Sequence, residues 1–411
     1  MNGVKINYVN CLAGILLISI LFFPDIQLSA SLPSFQVIDF LIPLIGLVIY
    51  QRKPKIVKNN YYFFLLFFTG YILFTIVING RIGIVRDYFE LYKFFKFLLL
   101  ILFFSVIDVL LFLKTWTKPI FILLVIINLL HFFEIGNTND LLLQYYNGGR
   151  NISYFGKNSL GLDAAKRMAG IVGNPNNNAI IFSFFMVYFF PFKLEKIKIY
   201  WFSLALLMVF MCQSRTTMIA FAMIIITVFI FKMVDWKFKR YVIFLTLTTS
   251  IYLIAMYFSS RGFTVDTYSN TVFSEDVLNT NSVMGRIETW KFLGNMILEK
   301  PFFGYGPNKD FFYDNHIYSE SEYFLYAWRY GFVGLIMYLL IYLIPLKDLF
   351  YKKRTTISNY LLLITVLMSV SAITNNPFTE RTVAVLFAAS VGFLYQLTHV
   401  KQSNSQSDVN Q

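Results

Sequence analysis

The chain has 411 residues, of which 57% are hydrophobic, 19% aromatic and only 14% charged. A soluble protein carries roughly 25% charged residues, so this composition excludes an ordinary soluble domain, which would have nowhere to bury so much Phe, Leu and Ile. The formal charge of +13 does not point to nucleic acid, because the basic residues are scattered through short connectors, where Lys and Arg orient membrane loops.

Apolar windows of membrane-crossing length recur along the chain. The predicted spans are 8–23, 36–50, 61–78, 94–113, 119–135, 177–192, 199–213, 216–232, 241–258, 323–345, 358–374 and 383–399. The expected fold is therefore all-α, a polytopic integral membrane protein with about 12 transmembrane helices in one domain over 1–400. The first span reads as a retained helix, since Met1–Asn10 has one lysine and no small-residue cleavage site. The polar segment 401–411 reads as a disordered cytoplasmic tail. Cys11 and Cys212 lie in or beside apolar spans and read as buried small hydrophobes.

With the N-terminus inside, the connectors at 51–60, 114–118, 193–198, 232–240 and 346–357 are cytoplasmic and rich in lysine, and both termini are cytoplasmic. Arginine sorts differently. Arg81, Arg86, Arg150, Arg167, Arg215, Arg261, Arg286, Arg329 and Arg381 fall on the other side, leaving Arg52, Arg240 and Arg354 inside. Lysine suffices to anchor a loop, whereas the planar guanidinium grips phosphate or carboxylate through paired hydrogen bonds. The alternative is pairing with local acids such as Asp87, Glu90, Asp163 and Glu288.

Four pieces form the expected outer face: 79–87, the Asn- and Gly-rich stretch 136–178, the hairpin Cys212–Thr217, and the long polar loop 259–322. Within that loop Ile287, Trp290, Leu293, Met296 and Ile297 recur at helical spacing, predicting an interfacial amphipathic helix over Arg286–Glu299 that stops before Pro301. Gly304-Tyr-Gly-Pro307 then turns the chain.

Several chemistries are set aside. There is no phosphate-cradling Gly-Lys-Ser/Thr loop. His131, His316 and His399 lack zinc spacing, no Asp-x-Asp opens an outer helix, and no cofactor or metal is expected. His131 reads as a packing histidine and His399 as interfacial. What remains on the outer side is a set of arginines with His316, Glu320 and Glu322. Arg329, two turns after Glu322, must face the bundle or a cavity. A lipid-linked pyrophosphate sugar fits this arrangement: arginines would hold the diphosphate and a Glu or His would take the proton of an attacking hydroxyl.

Ser214-Arg-Thr216 in a helix hairpin, Gly285-Arg286-x-x-x-Trp290 followed by Pro301-Phe-Phe-Gly-Tyr-Gly-Pro307, and Ser321-Glu-Tyr323 before Gly331-Phe-Val-Gly334 resemble the bacterial O-antigen polymerase and O-antigen ligase superfamily. Gly173-Asn-Pro-Asn176 is a fourth, weaker element. The resemblance covers about 167 to 334. It implies a metal-independent glycosyltransferase of GT-C-like architecture in the bacterial inner membrane, polymerising undecaprenyl-diphosphate-linked oligosaccharides into O-antigen or capsule. Its partners would be that lipid-linked oligosaccharide, membrane lipid and a chain-length regulator protein, with no nucleic acid. It assigns diphosphate binding to Arg215 and Arg286 and leaves the base open among Glu322, His316 and Glu320; the placement of Arg167 and Arg329 on the outer side adds them to the diphosphate set. Ligases of the superfamily carry His-Asn-Glu where this chain has Glu320-Ser321-Glu322, which favours a polymerase. The alternatives are a ligase transferring glycan to lipid A-core and a flippase without catalysis.

Overall fold

A segment without water around it must pair its own N–H and C=O groups, and a helix does so within itself. A computed structural model describes residues 8–26, 34–54, 60–138, 141–142, 167–192, 196–231, 233, 281–315, 317, 319–350 and 356–409. The regular structure of these residues is helical: α1 (Tyr8–Phe22), α2 (Val37–Arg52), α3 (Asn60–Ile78), α4 (Val85–Phe104), α5 (Val109–Phe132), α6 (Pro175–Tyr188), α7 (Lys196–Met211), α8 (Arg215–Ile230), α9 (Asn281–Glu299), α10 (Lys309–Asp314), α11 (Glu322–Phe350), α12 (Thr356–Ser371) and α13 (Arg381–Val409). A lone antiparallel bridge joins Ile26 to Phe35.

Among the described residues, α3, α5 and the Glu322–Lys347 part of α11 are long and apolar enough to cross a membrane, and five shorter apolar helices accompany them. This is the architecture of a helical membrane protein. Of the twelve expected spans, 241–258 lies outside the described residues, as does the first part of the outer loop.

The main departure is at the fourth and fifth spans. The expected segments 94–113 and 119–135 are instead Val85–Phe104 and Val109–Phe132. Asp108 ends the ambiguity by capping α5, accepting from the Leu111 N–H at 3.1 Å. Its own N–H and C=O are held at 3.0 Å by the Asn10 side chain of α1. The charged run from Asp87 to Lys96 is thus helical rather than loop, and several of its side chains turn inward. The helix placed at Arg286–Glu299 starts earlier, at Asn281.

α13 packs along α4, α6 along α7, and α8 along α12. Gly392 permits the first of these contacts: a Cβ there would meet the Phe104 Cβ at 2.5 Å. Phe97 meets Phe378 and Phe387, and Phe104 meets Phe393, along the same seam. The backbone of α13 stays helical beyond its apolar stretch, since extending a nucleated helix adds one bond per residue.

α11 is interrupted at Gly331, whose φ of 67° and extended ψ break the helical ladder. The carbonyls left open find partners elsewhere. Tyr305 N–H donates to Trp328 O at 3.1 Å and Gly306 N–H to Arg329 O at 2.7 Å. The Tyr71 hydroxyl of α3 donates to Tyr330 O at 2.8 Å, while Phe332 N–H reaches Pro301 O at 2.7 Å. The 301–306 turn therefore plugs the break. A side chain at Gly331 would meet Phe302 at 2.3 Å, and one at Gly304 would meet Trp328 O at 2.5 Å. Both glycines are demanded by this close approach. α9 braces the turn from outside, burying Leu293 and Ile297 against Ala327 and Trp328 of α11, with Trp290 stacked on Phe324 at 5.5 Å. Tyr305 donates to Glu299 at 2.8 Å; burial and that carboxylate push its hydroxyl up to about 12.

Candidate active site

Cross-links between distant segments gather the polar ends of the helices at one end of the bundle. Arg381 at the start of α13 meets Asp25 after α1 at 3.5 Å and donates to Ser34 O before α2 at 2.6 Å. Arg81 after α3 pairs with Asp87 of α4. Arg86 of α4 pairs with Asp310 of α10 at 2.7 Å. Asn177 of α6 donates to Glu380 before α13 at 3.2 Å, and Thr216 of α8 bonds Thr374 after α12. Glu322 opens α11 within the same group.

Two recesses form there. The first is a cavity of about 340 Å³ between α2, α4, α10, α11 and α13. Lys93, Lys96, Lys309, Arg329 and Arg381 line it, against the acids Glu90 and Asp39. Glu90 is 2% exposed and faces Lys309 at 2.9 Å, Lys93 at 3.4 Å and Arg329 at 3.6 Å. Asp39 accepts from Lys96 and from Tyr92, both at 2.8 Å. Three positive charges in excess over the lining acids are unusual in so apolar a setting, where buried charges are normally paired. The buried Arg329 Nε has no hydrogen-bond partner. Glu90, Lys93 and Lys96 recur every three residues, which puts them along one side of α4.

The second recess is a crevice of about 110 Å³ lined by Asn174, Asn176, Asn177, Glu320, Thr374, Asn375, Asn376, Thr379 and Glu380. Asn376 and Thr379 line both recesses. Asn174 caps α6 by accepting from the N–H groups of Asn176 and Asn177, with Pro175 in the first helical turn, so this helix start is held rigidly beside the crevice.

The residues singled out in the sequence divide among these places. Arg329 lines the cavity. Glu320 lines the crevice and is ion-paired to Arg286 of α9. Arg167 stands at the crevice edge, donating to Asn176 at 2.9 Å and to Cys212 O at 3.2 Å, which ties the α7–α8 hairpin to the start of α6. Arg215 is the first residue of α8, half-buried, and lines neither recess. His316 lies outside the described residues. Glu322 is fully buried, and each of its oxygens is engaged. It accepts from Tyr338, from Phe378 N–H and from Thr379, all at 2.8 Å, which clasps the 372–380 connector onto α11. The four arginines expected around one mouth thus do not converge. Among the described residues, Arg81 pairs with an acid of its own loop, whereas Arg86, Arg286, Arg329 and Arg381 reach acids on other segments.

The sequence reading missed Lys93 and Lys96 of α4 and two short connectors, 24–35 and 375–382. These supply Asp25, Ser34, Asn375, Asn376, Thr379 and Glu380 to the assembled end. The signal was present in Glu90-x-x-Lys93-x-x-Lys96, a charged repeat leading directly into an apolar run, because ionisable groups in such a helix face an interior site.

Residues 200–339 match the family described as O-antigen ligase. No curated protein matches the chain. The matched stretch contains Arg215, Arg286, Lys309, Glu320, Glu322 and Arg329. Asp39, Glu90, Lys93, Lys96, Arg381 and all of the crevice but Glu320 lie outside it.

Proposed function

From the match of residues 200–339 to the family described as O-antigen ligase, we propose that this chain polymerises lipid-linked oligosaccharide repeat units. The substrate is an oligosaccharide on polyprenyl diphosphate at the outer leaflet of the bacterial plasma membrane, and the product is an O-antigen or capsular chain. The polar end of the bundle is then the outer face, with both termini cytoplasmic. The observation that carries this reading is the cavity with its excess of cations at one end of an apolar bundle, open beside a crevice without any. A diphosphate on a lipid tail needs such a place: charge at the head and hydrocarbon below.

In this mechanism Lys93, Lys309 and Arg329 bind the donor diphosphate. A hydroxyl of the acceptor sugar attacks the donor anomeric carbon. The new C–O bond forms as the bond to the diphosphate oxygen breaks, and polyprenyl diphosphate leaves with the electron pair. The hydroxyl proton passes to Glu320, the described carboxylate of the three base candidates that faces a recess. Arg286 orients Glu320, Glu322 positions the connector bearing Asn376 and Thr379, and Arg167 and Arg215 fix the hairpin. The cations stabilise charge that grows on the leaving group.

A second reading, ligation of finished glycan to lipid A-core, is favoured by the description of the matched family. The surface glycan of a deletion strain, run on a gel, separates them. A polymerase deletion leaves one repeat unit on the final carrier, and a ligase deletion leaves none while polymer remains on the polyprenyl lipid. Repeat units trapped on the inner face would mark a flippase, and an unchanged ladder would overturn all of these.

A further inference from the structure

The crevice and the cavity share a wall but not a chemistry. Every residue lining the crevice carries an amide, a hydroxyl or a carboxylate; none is basic, aliphatic or aromatic. Its lining carries two carboxylates, Glu320 and Glu380, and no cation, so it suits a neutral ligand better than a diphosphate. The amides are partly unused. Asn375 Nδ2, a donor, and Asn376 Oδ1, an acceptor, are buried without hydrogen-bond partners on adjacent residues. A sugar hydroxyl both donates and accepts, so ring hydroxyls can satisfy both atoms. Neighbouring bonds hold the frame: Asn376 Nδ2 donates to Ser319 O at 2.5 Å and Asn177 to Glu380 at 3.2 Å. Roughly 10–15 Å³ admits one water-sized group, so a crevice of about 110 Å³ takes several hydroxyl-sized ones.

We propose that this crevice is the acceptor subsite and binds the terminal sugar of the acceptor glycan as a neutral, polyhydroxylated ring. The inference rests on the cavity being the diphosphate site. Asn375 and Asn376 bind the ring hydroxyls, Asn177 and Glu380 flank it, and Glu320 meets the attacking hydroxyl. Asn376 and Thr379, on the common wall, then lie between acceptor sugar and donor diphosphate. Recognition of the acceptor is assigned here largely to residues outside the family-matched stretch.

The test uses the purified full chain in lipid nanodiscs and two probes. One is polyprenyl diphosphate without sugar; the other is the free repeat-unit oligosaccharide released from the host strain's surface glycan, followed by saturation-transfer NMR. Wild type binds both. Asn375→Leu weakens oligosaccharide binding by about tenfold or more, the loss of one good hydrogen bond, and leaves polyprenyl diphosphate affinity within about twofold. Asn375→Asp, of the same size, shows the same split and guards against misfolding of the first variant. Oligosaccharide binding unchanged in both variants, or lost only together with diphosphate binding in both, overturns the acceptor subsite while the diphosphate reading stands. A wild-type chain that does not bind polyprenyl diphosphate overturns that reading and this inference with it.

Discussion

The cavity and the crevice are neighbours built by opposite rules. The cavity sets five cations against two acids on rigid helices, and its contacts are electrostatic and partly buried. The crevice has amides and hydroxyls from helix ends and a connector, and its contacts are directional hydrogen bonds. Charge grips a headgroup regardless of what sugar it carries, whereas a ring of amides reads the pattern of hydroxyls. Under the proposed function, separating the two would let the lipid carrier stay common while the glycan changes.

That contrast breaks most clearly at Arg329. Arg329→Met removes a cavity cation from a buried pair with Glu90, and transfer should fall by about a thousandfold, roughly 4 kcal/mol of barrier. Initial rates of polymer formation in membrane vesicles, normalised to protein amount, measure this; a drop under tenfold would mean that the cavity does not hold the diphosphate. Glu320→Gln keeps the shape of the crevice but removes the proton acceptor. It should lower turnover by about a hundredfold with polyprenyl diphosphate affinity intact, and an equal loss of affinity would merge the two recesses into one site. The smallest effect belongs to the rim. Arg86→Ala removes an exposed ion pair with Asp310, worth roughly 0–1 kcal/mol, so activity should stay within about threefold in the same assay. A large loss there would extend the cavity outward.

The helical class and the position of most of the described helices were legible in the sequence because apolar runs such as 61–78 and 323–345 allow little else. The Arg286 and Glu320 motifs were legible as well, though not their pairing, since thirty-four residues separate them and only α9 lying on α11 brings them together. Lys93 and Lys96 escaped because a hydropathy window counts their charge and not their direction. Asn375 and Asn376 escaped because a short polar connector between spans looks like any other until Glu322 is seen clasping it. Glu322 shows the converse: an acid in a recognisable motif, read as a base, lies buried with both oxygens hydrogen-bonded.

The plugged break in α11 also bears on the timing of assembly. The carbonyls around Gly331 cannot be left bare in hydrocarbon, where each unpaired group costs several kcal/mol. Their partners on the 301–306 turn precede them in the chain, and Tyr71 precedes both. During synthesis from the N-terminus the cap therefore emerges before the gap it must close. The broken turn of the helix that carries Arg329 thus has its partners before α12 and α13 are made.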